Sequence, residues 1–196
     1  MELKEGQSVF AQAVWFAAEA HCNSARKGTD TPYIIHPMEA AVISATMTSD
    51  PYVLAAAILH DVVEDTMAET EDIERAFGPR VAKIVSALSE NKRPEQPPQE
   101  TWLQRKREFV AYLENDSALE EKIVALGDKL SNMRSIEREY RKLGDGLWER
   151  FNQKDKSQHG WYYTSVCRAL SELENTDAWK ELSSLVDTVF GASSED

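Results

Sequence analysis

The residues most able to do chemistry in this 196-residue chain crowd into one short stretch. His60, Asp61, Glu64 and Asp65 follow the apolar run Val53 to Leu59 and have no Lys or Arg among them. At about 100° per residue, one continuous helix from Pro51 to Asp65 would gather these four within an arc of about 140°. Ala55, Ile58, Leu59, Val62 and Val63 would fill the remaining surface. An imidazole and three carboxylates on one face suit a divalent metal or general acid–base chemistry. The plainer reading is the solvated end of an amphipathic helix. Against it, each carboxylate near a helix C-terminus meets the unfavourable end of the macrodipole, at up to about 1 kcal/mol. Three anions without a cation also call for a compensating charge, which a bound divalent ion would supply.

A metal needs further ligands, and two other segments offer them. His36 stands before Pro37, at the mouth of an upstream helix, where a capping or core histidine is the alternative. Asp128, Asn132 and Ser135 recur at i, i+4 and i+7 among apolar neighbours, one stripe of one helix. A polar stripe on a solvated helix is the alternative there. Gly127 inside that stripe points to a close approach by a ligand or another helix.

The elements that would position these residues read as helices throughout, and no run of alternating Val, Ile and Thr reads as a strand. The spacing predicts a helix over Val9–Cys22, a second from Pro37 to Met47, and the Pro51–Asp65 helix. Thr70 is expected to cap a short helix ending at Gly78, and Pro79 to open another running to about Glu90. Asn91 to Pro98 holds three prolines and reads as a loop, a connector or a lid. Helix resumes over Thr101–Leu113. Ser117 and Glu120 suggest a capping box ahead of Leu119 to about Tyr140. After Gly144-Asp145-Gly146 a helical pattern runs to Leu173. Thr176 or Asp177 caps a last helix, about 177–190, before a tail, 192–196, expected to fray. The expectation is an all-α chain forming one compact domain over 1–196, with its core at about 8–175.

Composition narrows the function classes. Lys and Arg number 22 against 34 Asp and Glu, a formal net charge of −12. Such a surface repels nucleic-acid backbones, so a polymer partner is not expected. Between Lys129 and Lys142, however, Lys129, Arg134, Arg138, Arg141 and Lys142 oppose only Glu137 and Glu139. That is a basic mouth for a small phosphate ligand, or else a charge-mixed helix face. No stretch approaches a membrane span, and the N-terminal residues carry no signal-like apolar run. Cys22 and Cys167 form no disulfide framework, and a cytoplasmic setting is expected. Trp15, Trp102, Trp148 and Trp179 read as core or rim packing, with Trp161 the one considered near substrate. His21 and His159 read as surface or packing residues.

His36, then His60-Asp61, then Asp128 is the pattern of the HD phosphohydrolase superfamily. The fuller set is more specific. Arg26-Lys27 precedes Pro32-Tyr33-Ile34-Ile35-His36-Pro37. Ala57 to Thr66, Phe77-Gly78 and Asp128 to Arg134 follow. From about residue 8 to residue 173 the chain resembles the hydrolase domain of the RelA/SpoT alarmone enzymes, in its small stand-alone form. The resemblance implies that His36, His60, Asp61 and Asp128 bind one divalent metal, usually Mn2+ in that family. It implies that Glu64 and Asp65 assist the attacking water, and that Arg26, with Lys27 beside it, packs on the nucleobase. Asn132 and Ser135 would contact the nucleoside. Lys154 and the Trp161-Tyr162-Tyr163 region, matched more loosely, would hold phosphate or ribose. Gly127 stands where alanine is usual, the Gly28–Thr31 segment runs slightly long, and a lysine expected some way after Asp128 has no counterpart.

The implied activity is metal-dependent removal of the 3′-pyrophosphate from (p)ppGpp or (p)ppApp. Two histidines and two carboxylates would hold manganese with positions open for water and substrate, and zinc or iron would also fit. Competing readings are another nucleotide phosphohydrolase, such as an NADPH 2′-phosphatase, and a helical module that senses a nucleotide without turning it over. The Glu64–Asp65 pair, which a sensor does not need, separates the last of these. Guanine versus adenine preference and oligomeric state are left open.

Overall fold

The computed structural model describes residues 5–191, with side chains from Val9 onward. In chain order its helices are α1 (Glu5–Ala20), α2 (Ile35–Ser44), α3 (Pro51–Leu59), α4 (Val62–Asp65), α5 (Thr70–Phe77), α6 (Pro79–Leu88), α7 (Pro98–Asn115), α8 (Leu119–Leu143), α9 (Lys156–Ala169) and α10 (Asp177–Phe190). Short 3-10 turns lie at Gly144–Arg150 and Ser171–Leu173. Among the described residues there is no strand, only one isolated bridge between Ala25 and Pro32. The all-α expectation holds. No helix among the described residues is long and apolar enough to cross a membrane.

Helix α3 is the spine. Pro51 starts it without losing an intrahelical bond, and the Asp50 side chain caps it by accepting from the Tyr52 N–H at 2.9 Å. Ala55, Ala56, Ala57 and Leu59 are fully buried, because α1, α2, α6 and α8 all pack around it. Burying each of its large aliphatic side chains contributes about 1.5–3 kcal/mol. The alanines let those neighbours come close.

Helices α2 and α8 approach each other closely at Gly127. A Cβ on Gly127 would lie 2.6 Å from the Ala40 carbonyl oxygen and 2.6 Å from Ser44 Oγ. Glycine is required there by a helix–helix approach, one of the two readings of that position.

Several boundaries differ from the sequence expectation. The Pro51–Asp65 helix is not continuous. Asp61, at φ −94° and ψ −6°, separates α3 from α4, so His60 and the three acids span a break rather than one continuous helix. His60 Nδ1 takes the Ala57 carbonyl at 2.7 Å, one of the four carbonyls a helix end leaves without an intrahelical partner. Pro37 sits third in α2 rather than first, where it still has no N–H to satisfy. Helix α7 begins at Pro98, since that proline initiates rather than ending the loop. The start of α8 is closed by Glu121, whose carboxylate accepts from the Ala118 N–H at 2.7 Å. Ser117 instead donates to the Leu113 carbonyl. Glu69 rather than Thr70 caps α5. The pattern running to Leu173 is split between a 3-10 turn, α9 and a second 3-10 turn, and α1 runs from Glu5 to Ala20 rather than over Val9–Cys22. Thr176 caps α10 as expected. The tail 192–196 lies outside the described residues.

Candidate metal centre and cleft

Three elements bring His36, His60 and Asp128 together as one ligand cluster, with Asp61 against both histidines. His36 comes from the first turn of α2, His60 and Asp61 from the α3–α4 break, and Asp128 from α8. His36 Nε2 lies 3.4 Å from Asp61 Oδ2 and 3.2 Å from Asp128 Oδ1. His60 Nε2 lies 3.1 Å and 3.7 Å from the same two oxygens. The two imidazole planes stand 80° apart. His36, His60 and Asp128 offer ligand atoms within 4.8 Å of one another.

Hydrogen-bond counting settles the imidazole tautomers. Ser131 Oγ donates its single hydrogen to Glu39 Oε2 at 2.8 Å, so at its 2.8 Å contact with His36 Nδ1 it can only accept. His60 Nδ1 likewise donates to the Ala57 carbonyl. Both Nε2 lone pairs therefore turn inward. Such outer partners orient metal-binding histidines and raise their basicity. His60 Nε2 is buried and makes no hydrogen bond of its own, an atom otherwise costly to leave unpaired. That orphan, with two carboxylates facing two imidazole lone pairs, fits a divalent cation.

The carboxylates are held ionised. Burial disfavours the charge on Asp61, yet without a cation the imidazoles of His60 and His36, carrying protons on their inward nitrogens, hold its pKa well below the usual range; a bound cation would take the place of those protons. Burial opposes the charge of Asp128 too, and Lys129 leads the groups that overcome it. The Lys129 ammonium is 2.6 Å from Asp128 Oδ2 and 4.6 Å from the centre of the Phe109 ring. Asn132 Nδ2 donates to Asp128 Oδ1 at 2.6 Å, and its own oxygen accepts from Arg26 at 2.8 Å.

Glu64 and Asp65 lie beside this cluster. The Tyr33 hydroxyl spans Asp61 Oδ2 at 2.7 Å and Asp65 Oδ2 at 2.8 Å. Glu64 Oε2 accepts from the Glu90 N–H at 3.2 Å. Burial, then the Glu90 and Asp61 charges, push the Glu64 carboxyl up to about 7. Lys92, from the proline-containing loop, reaches Asp65 Oδ1 at 2.5 Å. The Glu90 carboxylate is buried against Arg105 at 2.8 Å and Lys106 at 2.5 Å.

A cleft of about 370 Å³ opens from the cluster, within the size range of small-molecule sites. Arg26, Lys27, Asn132, Ser135 and Tyr162 line it, as the resemblance implies for substrate contacts. Lys154 does not; it is exposed and pairs with Glu149 at 2.6 Å. Trp161 also lies outside it, beside Arg107, while Trp102 and the buried His159 line the wall. Trp15 is 74% exposed and so is neither core nor rim packing. Of the five cations expected to form a basic mouth, only Lys129 and Arg138 face the cleft. Arg134, Arg141 and Lys142 are turned to Glu181, Glu137 and Glu139. Sequence reasoning missed Tyr33, Glu39 and Ser131 as site residues, although Tyr33 and Ser131 lie inside the motifs.

Residues 13–154 match the family model described as HD domain. The chain belongs to the HD domain family. Within it, the chain is 39% identical over 134 residues to guanosine-3′,5′-bis(diphosphate) 3′-pyrophosphohydrolase MESH1 of Danio rerio, covering 67% of this chain and 71% of that protein. It is 35% identical to the bifunctional (p)ppGpp synthase/hydrolase SpoT of Escherichia coli over 126 residues, 64% of this chain and 18% of SpoT. A solved structure of a metazoan ortholog of SpoT that hydrolyses ppGpp superposes with a TM-score of 0.76 at 27% identity. The superposition covers 97% of this chain and 99% of the other. This HD domain therefore has the small MESH1-like form.

Proposed function

We propose that this HD domain hydrolyses the 3′-pyrophosphate of a guanosine or adenosine alarmone, (p)ppGpp or (p)ppApp, with manganese as its cation. The observation that carries the reading is the convergence of His36, His60, Asp61 and Asp128, with an unpartnered His60 Nε2 at its centre. The MESH1 and SpoT likeness supports the substrate class. These four residues would hold the cation; two neutral imidazoles with two carboxylates suit manganese. When bound, such a cation acidifies a water and withdraws charge from a phosphoryl oxygen.

The chain's own residues do the rest. Glu64, poised near neutral pH, takes the proton of the attacking water. Asp65, held through Tyr33 to Asp61, orients that water. The water oxygen bonds to the phosphorus carried by the 3′ oxygen, the P–O3′ bond breaks, and the 3′ oxygen regains a proton. Pyrophosphate and a nucleoside 5′-di- or triphosphate leave. Arg26, fixed by Asn132, lies beside the cleft as the platform for the base.

The test is pyrophosphate release from ppGpp, pppGpp and ppApp by purified protein with and without manganese, with NADPH as a further substrate. His60→Ala and Asp61→Ala should lose both bound metal and turnover. Free phosphate from NADPH alone would favour a 2′-phosphatase. No pyrophosphate from any alarmone, with metal bound, would remove the proposal.

A further inference from the structure

His36 stands at the head of a polar chain that runs across three helices toward the surface. Its Nδ1–H donates to Ser131 Oγ of α8 at 2.8 Å, and Ser131 passes its own hydrogen to Glu39 Oε2 of α2 at 2.8 Å. Arg134 Nη1 donates to the other Glu39 oxygen, Oε1, at 3.0 Å. The rest of the Arg134 fork is taken by Glu181 of α10, with Nε and Nη2 each 2.7 Å from a carboxylate oxygen. His36 and Ser131 are buried, whereas Glu39, Arg134 and Glu181 are partly exposed.

The direction of this chain is fixed at its outer end. A serine hydroxyl has one hydrogen, so its orientation is decided by the neighbour that can only accept. Glu39, ion-paired with Arg134, offers no hydrogen, and Ser131 therefore donates outward and accepts from Nδ1. Arg134 does not cancel that acceptor, because two acids share its one guanidinium and a net negative charge is left beside Ser131. Without Glu39 the Ser131 hydrogen is free to turn onto Nδ1. The imidazole proton then moves to Nε2, where it blocks a cation.

We propose that Glu39 is a positioning residue for the cation: acting through Ser131, it keeps the His36 proton on Nδ1 and so sets the affinity of the cluster for a divalent metal. Arg134, gripped by Glu181, holds Glu39 in place and ties the ligand cluster to α10. The inference rests on the metal reading above and concerns the cation rather than the nucleotide.

Manganese binding without nucleotide tests it, read from the electron paramagnetic resonance signal of the free ion in titrations of the whole protein. Glu39→Met, of similar size but without an acceptor, should weaken binding about 10-fold, within the range for groups behind metal ligands. Glu39→Gln should lose as much, because Arg134 takes its amide oxygen and the amide NH2 then faces Ser131. Ser131→Ala should weaken binding to a similar degree. Adding Glu39→Met to Ser131→Ala should cost nothing more, since the acid acts only through the hydroxyl. An affinity close to wild type in either Glu39 variant, or losses that multiply in the double variant, overturns the proposal. If the wild type binds no manganese, the metal reading falls and this inference with it. If the affinities behave as expected but no alarmone is cleaved, only the hydrolase reading falls.

Discussion

At the scale of single residues, the site is governed by which atoms are left free. The His36–Ser131–Glu39 chain and the His60–Ala57 contact consume every outward donor of the two imidazoles. Only lone pairs remain facing Asp61 and Asp128. Glu64 differs from the ligands because burial and neighbouring anions favour its proton, whereas Lys129 and either protonated histidines or a cation in place of their protons favour charge on the other two. As a general base Glu64 works only when ionised, so turnover should rise with pH along an acid limb. A nearby cation lowers that midpoint, placing it at or below about 7. Glu64→Gln should cut kcat about 100-fold, keep bound metal and abolish the limb. A pH–rate profile of both proteins beside a metal assay checks all three outcomes.

The helices decide which of these residues could be foreseen. The metal ligands were legible because their types are rare neighbours: a His-Asp pair after an apolar run, and a His-Pro and an acid-bearing stripe elsewhere. Their convergence was not legible from spacing. Asp128 joins the His-Asp pair because α8 packs against both α2 and α3. Tyr33 was hidden for the same reason, since its hydroxyl partners lie 28 and 32 residues away. The α3–α4 break was missed because it depends on a side chain taking a backbone carbonyl, which no periodicity encodes. The basic mouth failed because charge along a segment does not tell which way each side chain turns. The α2–α8 contact makes a direct prediction. Gly127→Ala forces backbone or Ser44 apart from a position 2.6 Å away, and should destabilise the fold by about 1–3 kcal/mol. The urea midpoint should fall with little change in the slope.

For the molecule as a whole, a net charge of −12 surrounds a cleft lined by Arg26, Lys27, Lys106, Lys129, Arg138 and Arg150. Attraction of a polyanionic substrate is therefore local and open to screening by salt. Between 0.05 M and 0.5 M salt, taken as about the range over which screening tightens strongly, KM should rise several-fold while kcat stays nearly constant. Initial rates at fixed manganese would show it; a kcat that fell in step would place the salt effect at the buried cluster instead. The contact between Gly127 and Ala40 carries a consequence for anyone rebuilding this protein. Because there is no room for a side chain there, the separation between the imidazole of one helix and the carboxylate of the other is held at its minimum by the bare backbone of α8. A single methyl group at that seam would widen the ligand cage, so any redesign of the interior has to keep it bare.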